Sequence, residues 1–515
     1  MSQGDQQYSM ATLEKHTSPQ SPVEEDAPGV LSSASSTTPV HQPLHTSDPK
    51  RSATVPPSLR ESFPQFFVLP HLLSKSAWIL LFATTVVMVV YTWLYLGALW
   101  SPMTRVKNVE IMLYNADNGF DYSQTPVALT QLFQTITHDK SLGSLVRHQI
   151  MDPESPLNHV VSWVDVSHQP GWDRDSLIDQ VVKGNYWGAL YLPANFSNNM
   201  LSYAPTSTAV PTVASIKPIA MEYIFDQGRS YATHSIIEKY ISKSMDALSK
   251  GVERQLLTSP VNLTLLNTMH PLLWIQAIHL SETIMNPVLV YGQNFASYVV
   301  FIVLYIGSML AVFSICKYLP TTVETFGILT LPNETKPTAK RLPKFPALRI
   351  VLARFGVATL FSLVHTLFIW MVPQVLHGHQ MSEHFSAGYA FAFIWFVGLS
   401  FTSIIFLLSQ LLTVDGFQGP ATMLMILMFT SSGGILDWVV MPGFFRVGVA
   451  FPFTYGVKGL RSIYFGSRRD EMWLNWIVVL GWIVVPALIT MALARSEIRL
   501  RRQTMRRTAS IQPEV

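Results

Sequence analysis

Long apolar runs alternate with polar stretches along the chain. Six of the runs, near 77–99, 294–316, 351–375, 388–413, 419–440 and 474–494, reach the length of a bilayer. About twenty residues, rising about 1.5 Å each, cover the roughly 30 Å of hydrocarbon in a membrane. The fifth run contains Ser431-Ser432-Gly433-Gly434, which predicts a kink or an early end. Between the first two runs the period changes. Val109, Ile111 and Leu113 alternate like a strand with one buried face, and a turn follows at Asn118-Gly119. Thr125-Pro126 opens a helix, with Thr as N-cap and Pro in the first turn. HVVSWVDV, YWGALYLP and MEYIFDQG read as further strands, and DRDSLIDQVVKG as a helix ending at Gly184. From Ser230 to about Leu257, Ile237, Ile241, Leu248 and Val252 fall on one helical face.

The expected fold is a polytopic α-helical membrane protein of about six transmembrane helices, with an α/β domain inserted between helices 1 and 2. Its parts are a disordered tail over 1–65, a first helix over 77–99, an inserted domain over 101–287, a five-helix membrane domain over 294–494 and a basic tail over 495–515. Composition agrees. The 515 residues are 49% hydrophobic and 13% charged, where a soluble protein is roughly 25% charged. The tail over 1–65 is rich in Ser, Thr, Pro and Gln, and buries too little apolar surface to offset chain entropy. The single cysteine, Cys316, excludes an intrachain disulfide and a cysteine zinc cluster.

Charge sets the expected orientation. Lys50, Arg51, Arg60 and Lys75 precede the first run; Lys317, Lys336, Lys340, Arg341, Lys344 and Arg349 lie between the second and third; Arg495, Arg499, Arg501, Arg502, Arg506 and Arg507 follow the sixth. Six crossings put all three clusters, and both termini, in the cytoplasm. The loop HGHQMSEH has no Lys or Arg and falls outside. The domain over 101–287 is then extracytoplasmic, and Asn195 and Asn262 head glycosylation sequons within it, while the sequon at Asn333 faces the cytoplasm. One segment disagrees: 442–473 carries Arg446, Lys458, Arg461, Arg468 and Arg469, yet falls outside. Val457, Leu460, Ile463 and Tyr464 follow helical spacing there. Two readings fit. One is an amphipathic interfacial or re-entrant helix whose Arg residues pair with lipid phosphates; the other is a packed re-entrant helix with a structural role.

Catalytic chemistry is not evident. No GxxxxGK[ST], GxSxG or HExxH pattern occurs, so neither an enzyme nor a cofactor is expected. His377, His379, Glu383 and His384 read better as a polar loop than as a metal site. Ionisable residues inside the runs are scarce, and such residues are costly in lipid. His365 lies in mid-run and suits either a function or an interhelical hydrogen bond; Arg354 suits snorkelling to headgroups. The scarcity argues against a proton-coupled transporter, and less against an amphiphile pathway along helix surfaces. His365, Lys458 and Arg461 are the candidate translocation residues. The basic tail suits anionic lipid, and Arg507-Thr508-Ala509-Ser510 suits a basophilic kinase.

Three segments carry a family resemblance: LYLGALWSPMTRVKNVEIMLYNADNG, YWGALYLPANFS and PFTYGVKGLRSIYFG. They resemble the fungal nitrosoguanidine-resistance family, a membrane domain of unknown biochemical function, over about 75–495. The order of spans is also similar to the membrane half of ABC-2-type exporters, although the chain lacks an ATPase half. The resemblance implies a plasma-membrane or endomembrane protein linked to drug resistance. It would act by exporting amphiphiles or by controlling lipid distribution between leaflets. The alternative is a non-transporting sensor or scaffold whose inserted domain binds a ligand. Membrane lipids, a second copy or another membrane protein are the expected partners; nucleic acid is not.

Overall fold

The structure is a computed structural model that describes residues 75–99, 101–125, 141–203, 216–258, 278–289, 291–318, 346–377, 385–412 and 416–511, with isolated positions between 127 and 134. The tail over 1–65, Asn262, Asn333, His379, Glu383, His384 and most of the helix expected after Thr125 lie outside these residues.

The inserted domain is a five-stranded sheet in the order β2-β1-β3-β4-β5. The strands are β1 (Glu110–Asn115), β2 (Ser162–Asp165), β3 (Gly188–Leu192), β4 (Ala220–Asp226) and β5 (His279–Met285). β1 runs parallel to β2 and β3, β3 is antiparallel to β4, and β4 is parallel to β5. Helices cover both faces. Ile111 and Leu113 share a core with α2 (Leu142–Met151), α4 (Phe196–Leu201) and α5 (Tyr231–Thr258), whereas Met112 packs with Leu177 and Val181 of α3 (Arg174–Val182). The expectation of one buried face for β1 is therefore corrected: a central parallel strand is covered on both sides. β5 escaped the sequence reading because its residues HLSETIM sit half-buried at the sheet edge and show no apolar alternation. The turn after β1 forms as expected, with Gly119 at φ 88°. Asp117 stabilises it by accepting from Gly119 N, Gly143 N and Ser197 N.

Helix α1 (Lys75–Leu99) ends at Ser101, whose left-handed φ of 53° starts a 3-10 segment over Pro102–Asn108. Four further helices are long and apolar enough to cross a membrane: α6 (Tyr291–Tyr318), α7 (Pro346–His377), α8 (Ala387–Leu411) and α11 (Met472–Ile511). The protein thus has four to five apolar spans among its described residues, the fifth being α1 with its 50° bend. The run at 419–440 ends early, at the Ser-Ser-Gly-Gly break where a kink or an early end was expected. It forms only α9 (Gln418–Thr430), 13 residues, or about 20 Å of helix. Gly433, at φ 73°, then turns the chain into 3-10 segments over Trp438–Val440 and Gly443–Ala450.

These segments join the two halves of the molecule. Leu94 and Ala98 of α1, together with Leu436, Val440, Met441 and Phe445, belong to the same buried core as the sheet. The joint is tight: a Cβ on Gly448 would stand 1.7 Å from the Ser431 carbonyl oxygen. Gly448→Ala is expected to cost about 1–3 kcal/mol, because backbone cannot yield as a side chain can. Thermal unfolding of the purified protein checks this, and an unchanged midpoint would contradict it.

Candidate functional site

Helix α10 (Pro452–Phe465) starts with Pro in its first turn and stops at Gly466, which is left-handed at φ 90°. It packs against α6, α8 and α11. Gly459 lies under Phe393, so close that any side chain there would meet the ring. Of the two readings for 442–473, the helix is packed inside the protein rather than laid on a lipid surface.

Arg461 is 6% exposed and is turned inward. Its Nη1 donates to the Arg229 carbonyl at 2.9 Å and the Gly433 carbonyl at 3.2 Å, and its Nη2 donates to the Gly434 carbonyl at 2.6 Å. The kink at Gly433-Gly434 is what supplies these acceptors, since a continuing helix would have used them internally. One guanidinium therefore ties α10 to the end of α9 and to the loop after β4. Its donors are engaged by protein, which removes it from pairing with lipid phosphate. Lys458, one turn earlier, lies with Nζ 4.9 Å from the centre of the Trp438 ring.

The loop after β4 supplies groups that the sequence reading missed. Arg229 stacks over Trp187 at 3.7 Å and donates from Nη1 to the Tyr186 carbonyl. Asp226, 1% exposed, accepts from Gly228 N, Asn286 Nδ2 and Ser467 Oγ. Burial raises its carboxyl to about 6, against the opposing hydrogen bonds of Ser467 and Asn286. Burial, and then the like charge of Arg468, lowers Arg229 to about 10. His234 sits between the Trp187 and Phe225 rings, each 5.3 Å away, with both ring nitrogens buried and unpartnered. Burial, and then Arg229, lowers it to about 3. In MEYIFDQGRSYATH these residues read as an ordinary strand end; no local pattern marks them as buried. Around them lies a cavity of about 30 Å³, lined by Arg229, Asp437, Trp438, Lys458, Arg461 and Arg468 among others.

His365 stands apart from this junction. It projects from α7 against Gly307 of α6, with Nδ1 buried and unpartnered. Asn195 is exposed at the start of α4, while the serine of its sequon, Ser197, is buried and bonded to Asp117.

Beside the junction, the flank of α1 forms a mainly apolar cleft of about 690 Å³, lined by Met88, Trp93, Leu96, Phe444 and Phe445, with Arg105 also in the lining. A second cleft of about 530 Å³ adjoins it, sharing Thr92 and Leu96, and lies against α6 and α9. His365 lines neither. Among the described residues, no group of three His, Cys, Asp or Glu side chains is placed to hold a metal ion.

Comparison with known proteins adds one finding. Residues 80–488 match the family described as a protein of unknown function, DUF3533. No curated protein and no solved structure gives a match. The matched residues take in most of α1, the whole inserted domain and the membrane helices into α11. The chain belongs to the DUF3533 family.

Proposed function

We propose that this protein moves amphiphilic molecules across, or redistributes them between, the leaflets of the membrane that holds it, most simply the plasma membrane. The observation that carries the reading is the cleft along α1, whose mainly apolar lining includes one cation, Arg105. Such a groove suits a molecule with an apolar tail and an anionic head. The scarcity of ionisable residues within the spans fits a path along helix surfaces better than a buried proton relay. Resistance to toxic amphiphiles would follow from either action.

The reading includes six crossings with both termini cytoplasmic. The chain from α8 to α10 supports it by retracing α6 in reverse. Ser409 bonds with Cys316 near one end of α6, Ala421 accepts from Tyr305 midway, and Phe429 packs on Tyr298 near the other end. Short as it is, α9 then carries the chain back towards the inserted domain, which puts the basic segment 442–473 beside that domain and shields its cations within protein.

Purified protein in vesicles should speed the exchange of a labelled anionic lipid between leaflets. Leu96→Trp, which narrows the cleft, should remove most of that gain. Exchange no faster than in empty vesicles would end the transport reading. A sensor or scaffold is the second reading, favoured by the buried core shared by the inserted domain and α1, which would transmit a ligand's effect to the membrane. It predicts no exchange in the same assay.

A further inference from the structure

We propose that the cavity between the inserted domain and α10 binds a small inorganic anion, with chloride as the fitting class. Four cationic side chains line it: Arg229, Lys458, Arg461 and Arg468. One carboxylate, Asp437, joins them in the lining, and its Oδ1 is already engaged by Val439 N. Of the nearest other carboxylates, Asp226 is held by Ser467 and Asn286, and Glu471 stands 3.7 Å from Arg468. Four cations thus meet three carboxylates, one positive charge over. Among the described residues, Arg229, Lys458 and Arg461 make no ion pair within 4.0 Å.

A buried charge excess of this kind is costly unless a counter-charge enters. Arg229 Nε is buried without a partner, as is Arg468 Nε, which lies against Gly184. Lys458 Nζ faces the Trp438 ring. Size narrows the ligand. A volume of about 30 Å³ accommodates a halide, the smallest of the common inorganic anions. The bound anion would bridge the loop after β4 to α10 and so strengthen the seam between the two halves. The site is separate from the α1 cleft, so its failure leaves the transport reading standing, and the reverse.

The test uses the full-length protein in detergent, with sodium gluconate replaced stepwise by sodium chloride or bromide at constant ionic strength. The expected result is a saturating rise in unfolding temperature of about 5 °C. Lys458→Gln should abolish the rise and be no less stable than wild type in gluconate, because it removes the excess charge. Where that variant fails to fold, Arg468→Gln makes the same comparison from the rim. Equal stability in gluconate and chloride would overturn the site, as would a rise that never saturates or persists undiminished in the variant. Stabilisation by phosphate but not by chloride would overturn the assignment of a halide.

Discussion

Arg461→Met is expected to destabilise the protein by about 3–5 kcal/mol, because three buried carbonyls lose the donor they share. The methionine would fill the space but leave the carbonyls of Arg229, Gly433 and Gly434 without their donors. Each buried acceptor left unmade costs about 1–3 kcal/mol, and the cavity beside them can admit water to recover part of that. Arg461→Lys keeps the charge but loses the planar fork, so an intermediate loss of about 2 kcal/mol is expected. Because the side chain joins α10, α9 and the inserted domain, the seam should open before the spans do. Limited proteolysis should therefore nick the loop after β4 faster in the variant than in wild type, while the core of α8 stays protected. A stability loss below about 1 kcal/mol would mean that the three hydrogen bonds do not hold the seam.

Asp226→Asn and His234→Phe should tilt the response to acid in opposite directions. Asp226 is raised from 3.8 to about 6, so the folded state takes up a proton that the unfolded chain releases. Its contribution is fully present below pH 3.8 and is lost as pH rises through about 6. His234 is lowered from 6.5 to about 3, so its contribution is present above pH 6.5 and is lost as pH falls. Between about pH 6 and 4 the two effects oppose one another and nearly cancel, each amounting to about 3 kcal/mol across the acid range. Relative to wild type, Asp226→Asn should therefore lose about 3 kcal/mol on moving from pH 7 to 4. His234→Phe, which keeps the ring between Trp187 and Phe225, should gain a similar amount. Comparing each variant with wild type at every pH subtracts the carboxylates common to all three. Unfolding curves that stay parallel across this range would show that neither group is as desolvated as its burial implies.

Much of the architecture was legible from short-range patterns. Runs of apolar residues located α1, α6, α7, α8 and α11, since spanning a bilayer demands about twenty such residues in one helix whatever lies beside it. Alternation and turn residues located β1 to β4, and Gly184 closed the turn after α3 at φ 79° as its position suggested. In the run at 419–440 the Ser-Ser-Gly-Gly break was visible in the sequence, but not its use: the freed carbonyls of Gly433 and Gly434 receive Arg461. Hydropathy sees side chains and is blind to backbone acceptors. The same blindness left 452–473 open between an amphipathic lipid-facing helix and a packed one. Its cations are spaced as an amphipathic helix spaces them, but Arg461 finds its acceptors in the break after α9 and, 232 residues earlier, at Arg229 in the loop after β4.

The chain's own order of apolar, alternating and basic segments determined that this is a membrane protein with a folded domain between its first two spans, because each of those properties belongs to a single stretch of residues. Only the tertiary structure decided that α10 is interior, that Asp226 and His234 are dry, and that four cations share one small cavity. The environment of a charge is set by whatever packs opposite it, and here that packing brings together α9, α10 and the loop after β4, which no local period relates.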